Sequence, residues 1–281
     1  MIIDQSVRLY SGKKLQRKVI EHMFSKYFIK FIVFLMFPGL FISQQVLAES
    51  EQFDQEATKV VQQAVEHMRD ESSRGRSTMR INRPGWSREM TFESWTQGMD
   101  KSLVRFVAPA RDAGSASLKV GNEMWSYSPR VRRVIRIPAS MMTQSWMGSD
   151  FSYNDLARDD EIVQSYNHRF LESEEHEGQH VHVVEAVPKE HAPVVWGREV
   201  VRIREDNVLL EHLFYDQGDD LLKKLETLEI DMVGDRMIPV RMRMSNLEKP
   251  DEWTEIEQEA IEFGVNIPAH TFTQAHLRDP R

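Results

Sequence analysis

Residues 176–180 read His-Glu-Gly-Gln-His. In H-E-x-x-H metalloproteases this spacing puts two histidines one helical turn apart to bind zinc, with the glutamate as general base. The chemistry needs a helix, and the context here is not helical. Gly178 sits in the middle, Phe170-Leu171 runs in, and Val181, Val183 and Val184 run out. That pattern predicts two strands joined by a hairpin tip. His180 and His182 would then share a strand face, as two exposed polar residues or as a surface metal site. There is no G-x-S-x-G elbow, no phosphate-cradling G-x-x-x-x-G-K loop and no G-x-G-x-x-G fingerprint. The S-x-x-K of Ser11 to Lys14 falls within the leader segment described below. Carboxylates are plentiful, but no pair stands apart from a solvated face. The chain therefore predicts no enzyme, no catalytic residue, no metal site and no cofactor.

Two other groups carry chemical character. Arg130, Arg132, Arg133 and Arg136 form a basic run in an acidic chain. This is either an edge strand guarded by charge or a docking patch for an acidic partner or lipid headgroups. Twelve methionines lie between Met68 and Met244. Methionine is a flexible filler suited to repacking around variable apolar ligands, and it also serves simply as core.

Short strands must position these residues. Glu49 to Arg74 reads as an amphipathic helix, with Val60, Val61, Ala64, Val65 and Met68 at helical spacing. Alternating runs at hairpin spacing follow, separated by Asn82-Arg83-Pro84-Gly85, Gln97-Gly98 and Gly121-Asn122. Further strands are predicted over 162–171, 179–187, 200–204, 209–215, 222–233, 238–246 and 253–263. No strand–helix–strand rhythm appears, so the sheet should be antiparallel. Between these runs lies a greasy segment, with Met141, Met142, Trp146, Met147, Phe151 and Tyr153 broken by Gly148. It must be buried in the core or cover something apolar.

Lys26 and Lys30 precede an apolar run, Phe31 to Ile42, and Val46-Leu47-Ala48 offers small residues at a cleavage site. Residues 1–48 thus read as a secretory signal peptide, with translation starting at Met1 or Met23. The run is shorter than the ~20 residues a spanning helix needs, and Pro38-Gly39 interrupts it. The absence of cysteine excludes disulfides, a thiol nucleophile and a lipidated cysteine. Of 36 basic and 44 acidic residues, residues 1–48 hold seven and two. Residues 49–281 therefore keep 29 and 42, a net charge of −13, which argues against nucleic acid as a partner. They are expected to form a single domain, soluble and periplasmic.

The stretch Tyr127-Ser-Pro129, then basic–apolar alternation, then Met147-Gly-Ser-Asp-Phe-Ser-Tyr-Asn-Asp-Leu156 resembles the LolA-like family. These are outer membrane lipoprotein-sorting proteins, and the similarity is to the uncharacterised branch associated with RND-type exporters. It extends to the closing Phe272-Thr273 segment. The resemblance implies a mostly β fold with a few helices (α+β): a strongly curved antiparallel sheet, an incomplete barrel, with helices over its open side and an apolar cavity for acyl chains. Expected partners are lipid or lipoprotein acyl chains, an inner-membrane RND-type exporter and an outer-membrane acceptor. The alternative is a non-enzymatic exporter accessory that binds protein and no lipid. Combined with strand alternation, the resemblance assigns Met79 and Ile81, Met90 and Phe92, Val104 and Phe106, Trp125 and Tyr127, and Met242 and Met244 to the cavity wall. Trp146, Met147 and Phe151 are expected as its lid.

Overall fold

The computed structural model describes residues 53–158 and 160–279. The chain divides into Met1–Ser50 and Glu51–Arg281, and every described residue belongs to the second unit. The expected leader lies outside the described residues. Among the described residues, no helix is long and apolar enough to cross a membrane.

The unit is a 14-stranded, wholly antiparallel sheet with few helices. Helix α1 (Gln55–Arg69) precedes β1 (Ser72–Arg83), β2 (Trp86–Gln97), β3 (Lys101–Ala108), β4 (Ala116–Val120), β5 (Glu123–Ser128) and β6 (Arg133–Arg136). Two short helices follow, α2 (Tyr153–Ala157) and α3 (Glu161–Ser165). Then come β7 (Tyr166–Phe170), β8 (Glu174–His176), β9 (Gln179–Pro188), β10 (Arg198–Arg204), β11 (Leu209–Tyr215), β12 (Leu221–Val233), β13 (Arg236–Asn246) and β14 (Trp253–Phe263). A 3-10 turn, Ala269–Phe272, and α4 (Gln274–Arg278) close the chain. Strand order is β6-β5-β4-β3-β2-β1-β14-β13-β12-β11-β10-β9-β7, with β8 also on β9. Hairpins make nearly every neighbour pair. The exceptions are β7 against β9, with β8 between them in the chain, and β1 against β14, which joins two meandering wings, β1–β6 and β7–β14. The sheet does not close: it is a curved, incomplete barrel.

Helix α1 is shorter than the amphipathic pattern suggests. Asp54 caps it, its side chain accepting from the Glu56 amide, and Asp70 ends it at φ 58°. Ser72 and Ser73 already belong to β1. The helix lays Ala57, Val60, Val61 and Ala64 on Val184, Ala186, Val201 and Ile203 of β9 and β10. Its first turn is tied to β7, where the Asp54 amide donates to the His168 carbonyl at 2.7 Å. Thr58 Oγ1 lies 3.0 Å from His168 Nδ1.

The segment 162–171 is not a continuous strand. Residues 161–165 form α3, and the strand begins at Tyr166. The turn survives its shortness through local bonds to Glu161, which accepts from Arg158 at 2.7 Å and from Asn154 at 3.2 Å, and because Ile162 packs with α1.

On β1, β2, β13 and β14 the outer face is ionic. Arg80 bridges Glu89 and Glu257, Arg76 bridges Glu93 and Glu259, and Arg243 pairs with Glu255 across the ladder. The inner face of the same strands is apolar. Period-two alternation makes this separation automatic.

Candidate functional site

Pairing registers decide which expected residues share a surface. Met90, Met79, Ile256 and Met242 lie in one cross-strand row, and Ile81, Thr254 and Met244 in the next. Phe92 faces Phe106 across β2 and β3. Met79, Ile81, Met90, Phe92 and Phe106 are buried in one cluster, with Val104 and Ile256 packed against it. The pairs on β1, β2, β3 and β13 therefore meet on the inner face.

Trp125 and Tyr127 do not join them. Trp125 pairs with Leu118, which pairs with Leu103, and Leu103 points away from Val104. This row lies on the opposite face, beneath Ile267, Phe272 and Leu277 of the C-terminal segment. The inward residue of β5 is Met124. Alternation fixed the pair but not its side, and a one-residue change of parity reverses every member.

Within the greasy segment expected as a lid, Trp146 is packed deep in the wall. Trp146, 2 % exposed, is inserted into the cluster. Its ring lies 6.2 Å from Phe92 and 5.3 Å from Phe106, and Nε1 donates to Ser117 Oγ at 3.0 Å. It is a plug seated in the wall. Met147 and Phe151 pack beside it. The loop is held by Arg83, which donates to Asp150 at 3.0 Å and to the Gly148 carbonyl at 3.1 Å. Met147 and Gly148 both have positive φ, the bend that turns Trp146 inward. Ser152 and Asp155 form a reciprocal capping box on α2.

Two cavities remain on this inner side. The first, about 250 Å³, lies between α1 and β10–β13 and is lined by Val61, Val65, Val201, Leu209, Leu225 and Met244 among others. The second, about 260 Å³, lies against β2–β5, with Phe92, Val104, Met124, Trp146, Leu156 and Ile256 in its wall. Phe151, Arg69 and Asp155 line both and so form the partition.

Polar groups that the sequence reading did not single out punctuate these walls. Arg69 ends the buried stripe of α1 and donates to the carbonyls of Gly98 and Lys101 at 3.2 and 3.3 Å. Burial pushes its pKa down to about 10, with Asp160 opposing. Lys119 lines the second cavity. Burial pushes its ammonium below the usual lysine range, and Asp160, 3.5 Å away, acts against that. In the first cavity, the buried Glu199 lies 2.5 Å from His212 Nε2. Asp155 pairs with Lys223 at 3.1 Å and Glu161 with Arg158. Tyr166 donates to the Trp196 carbonyl at 3.2 Å. Burial first, then the Glu199 charge, raises its pKa. A signal in the sequence could have found Arg69, a cation that follows Val61 and Val65 at helical spacing, but not Lys119, which shares its strand face with Ser117 and alternates with the apolar Ala116, Leu118 and Val120.

His176 and His180 flank the β8–β9 hairpin. Glu177 and Gly178 both have positive φ, as a two-residue type I′ turn requires, and His176 pairs with Gln179. The helix that would converge both histidines on one metal is absent there. Among the described residues, no group of three metal-binding side chains assembles.

Arg130, Arg132, Arg133 and Arg136 are exposed on the β5–β6 hairpin, whose turn places Arg132 at φ 52°. Arg136 pairs with Glu123 at 2.6 Å. Val131 and Ile135 stand exposed among them, at 57 % and 52 %. β6 is an edge strand.

Comparison with known proteins adds the following. A family model described as an uncharacterised protein matches residues 98–279. A search of the curated proteins finds no match. Among solved structures, a domain from Vibrio parahaemolyticus described as an outer membrane lipoprotein-sorting protein superposes with a TM-score of 0.70 at 23 % identity, covering 79 % of this chain and 98 % of that one. A DUF1329 family protein from Desulfovibrio piger gives 0.70 at 24 % identity, with 79 % and 98 % covered. A LolA superfamily protein from Nitrosomonas europaea gives 0.65 at 21 %, with 78 % and 98 % covered.

Proposed function

The chain belongs to the LolA-like family, in its uncharacterised branch, and from that premise we propose that it is a periplasmic carrier that shields lipid or lipoprotein acyl chains on their way towards the outer membrane, catalysing no reaction. The carrying observation is the pair of apolar cavities on the inner face of an open sheet. A cavity of about 250 Å³ accommodates roughly eight groups of water size. Eight methylenes at ~0.8 kcal/mol each give about 6 kcal/mol as an upper bound. Either cavity alone shields part of an acyl chain. A full chain engages both, past Phe151.

Release then requires a receiving site that binds more tightly. The exposed basic hairpin of β5 and β6 supports a docking role for Arg130, Arg132, Arg133 and Arg136, at an inner-membrane exporter or an outer-membrane acceptor. The same hairpin supports a second reading, in which the protein is an exporter accessory that binds protein and no lipid.

The test is lipid analysis of protein purified from the periplasm, together with titration of a fluorescent monoacylglycerol. The carrier reading expects co-purified lipid and saturable binding. It expects that binding to be lost in Val65→Glu, which places a charge on the half-buried α1 wall of the first cavity. Absence of lipid and of binding in the wild type would leave the accessory reading.

A further inference from the structure

The first cavity is chemically one-sided, and this rests on the reading that it holds an alkyl chain. At its β10–β11 end stand Trp196 and Phe214, with ring centroids 5.3 Å apart, and His212 stacked on Phe214 at 4.0 Å. Glu199 lies at the same end of the cavity wall, its side chain 5 % exposed. The other acids of this cavity have cationic partners: Glu161 pairs with Arg158 and Asp155 with Lys223. Glu199 is bonded to His212 and lies within hydrogen-bonding reach of the Tyr166 hydroxyl. Among the described residues, no lysine or arginine pairs with it.

A buried carboxylate beside aromatic faces is the composition that attracts an organic cation, by charge and by the ring quadrupole. This aromatic wall already holds one: the Lys223 ammonium lies 5.7 Å from the Trp196 ring and 5.9 Å from that of Phe214. The second cavity differs in having Lys119 in its wall, while Arg69 and Asp155 stand in the partition shared by the two.

We propose that the Glu199–Trp196–Phe214 end of the first cavity is a seat for the ammonium end group of an amphiphile, whose alkyl chain lies along α1. A ligand ending in a carboxylate or phosphate is disfavoured there, because its charge would be desolvated against Glu199.

Calorimetric titration below the micelle concentration tests this with two probes of equal chain length, dodecyltrimethylammonium and dodecanoate. Wild-type protein should bind the ammonium about tenfold more tightly, a difference of ~1.4 kcal/mol. Glu199→Gln keeps the side-chain volume and should bring the two probes to near parity. Trp196→Leu keeps an apolar wall and should weaken the ammonium alone. The exposed Glu190→Gln, with the same change in net charge, should leave the preference intact. Tetramethylammonium, which lacks the chain, should bind far more weakly, marking the ligand as an amphiphile and not a free cation. Equal or tighter binding of dodecanoate overturns the proposal, as does a preference that survives in folded Glu199→Gln. If Glu199→Gln does not fold, an unchanged preference in Trp196→Leu overturns it. Should monoacylglycerol bind while neither charged probe does, the ammonium seat falls and the carrier reading stands. If nothing binds, both fall.

Discussion

Trp146→Ala separates a plug from a flap. A flap residue contributes little to folding, and its removal changes stability by less than ~0.5 kcal/mol. Trp146 instead contacts two phenylalanine rings and donates to Ser117, which is itself buried. Truncating a buried tryptophan to alanine costs about 3–5 kcal/mol through lost transfer energy and the cavity left behind. The lost hydrogen bond accounts for about 1 kcal/mol. Together these remove a large part of the ~5–15 kcal/mol that holds a typical domain. With a urea slope of about 2–3 kcal/mol per molar, the midpoint should fall by roughly 1.5 M. Trp146→Phe keeps ring contacts and loses only the donor and part of the volume, so it should fall between. Urea unfolding followed by far-UV circular dichroism gives all three values. A loss under about 1 kcal/mol for Trp146→Ala would refute the plug and return the residue to the role of a mobile cover.

Three further outcomes are expected. Arg83→Ala removes the clamp on Asp150 and Gly148 and strands a carboxylate whose side chain is 7 % exposed. Hydrogen exchange in 147–151 should accelerate, and stability should drop by about 3 kcal/mol. His168, fully buried, has its pKa lowered from the ordinary 6.5, burial being the main cause. The unfolded chain then binds the proton first as pH falls below 6.5, so wild-type stability should decline from there towards the lowered folded pKa. The slope is at most ~1.4 kcal/mol per pH unit. His168→Gln should lack that component in melts from pH 7 to 5, and an identical slope in both proteins would contradict it. His176→Ala and His180→Ala should leave zinc content and fold unchanged, since the hairpin register puts His176 and His180 on opposite faces; stoichiometric zinc lost with either variant, by elemental analysis, would contradict this.

The antiparallel meander was legible because each strand carries its own alternation and its own turn residues. The helix was legible because Val60, Val61, Ala64, Val65 and Met68 recur at helical spacing. What the sequence left hidden is of three kinds. Parity was one: Met124 and Trp125 are both large and apolar, and only the C-terminal cover over Leu103 and Leu118 determines that Trp125 faces away. Short helices were another, because residues 161–165 span too few turns to repeat a pattern and are held by tertiary contacts. The third was long-range assembly. Glu199 and His212 lie on neighbouring strands of one wing, and nothing local in either strand marks them as partners. For the same reason the greasy segment was recognisable as buried, while its insertion beside Phe92 was not.

The pairing of β1 with β14 has a temporal side. Arg80 and Glu257, bonded across that ladder, are 177 residues apart in the chain. A polypeptide emerging from its N-terminus presents β1 long before β14 exists, and for that interval the central strand of the finished sheet is an open edge. Contacts of such separation carry a large loop-closure entropy and make folding slow. An exposed strand edge invites pairing with another chain. The inner face cannot form as one surface until the last strand arrives. Folding yield, more than native stability, is therefore the quantity most exposed to changes in β14, and refolding from denaturant should show its slowest phase at that ladder.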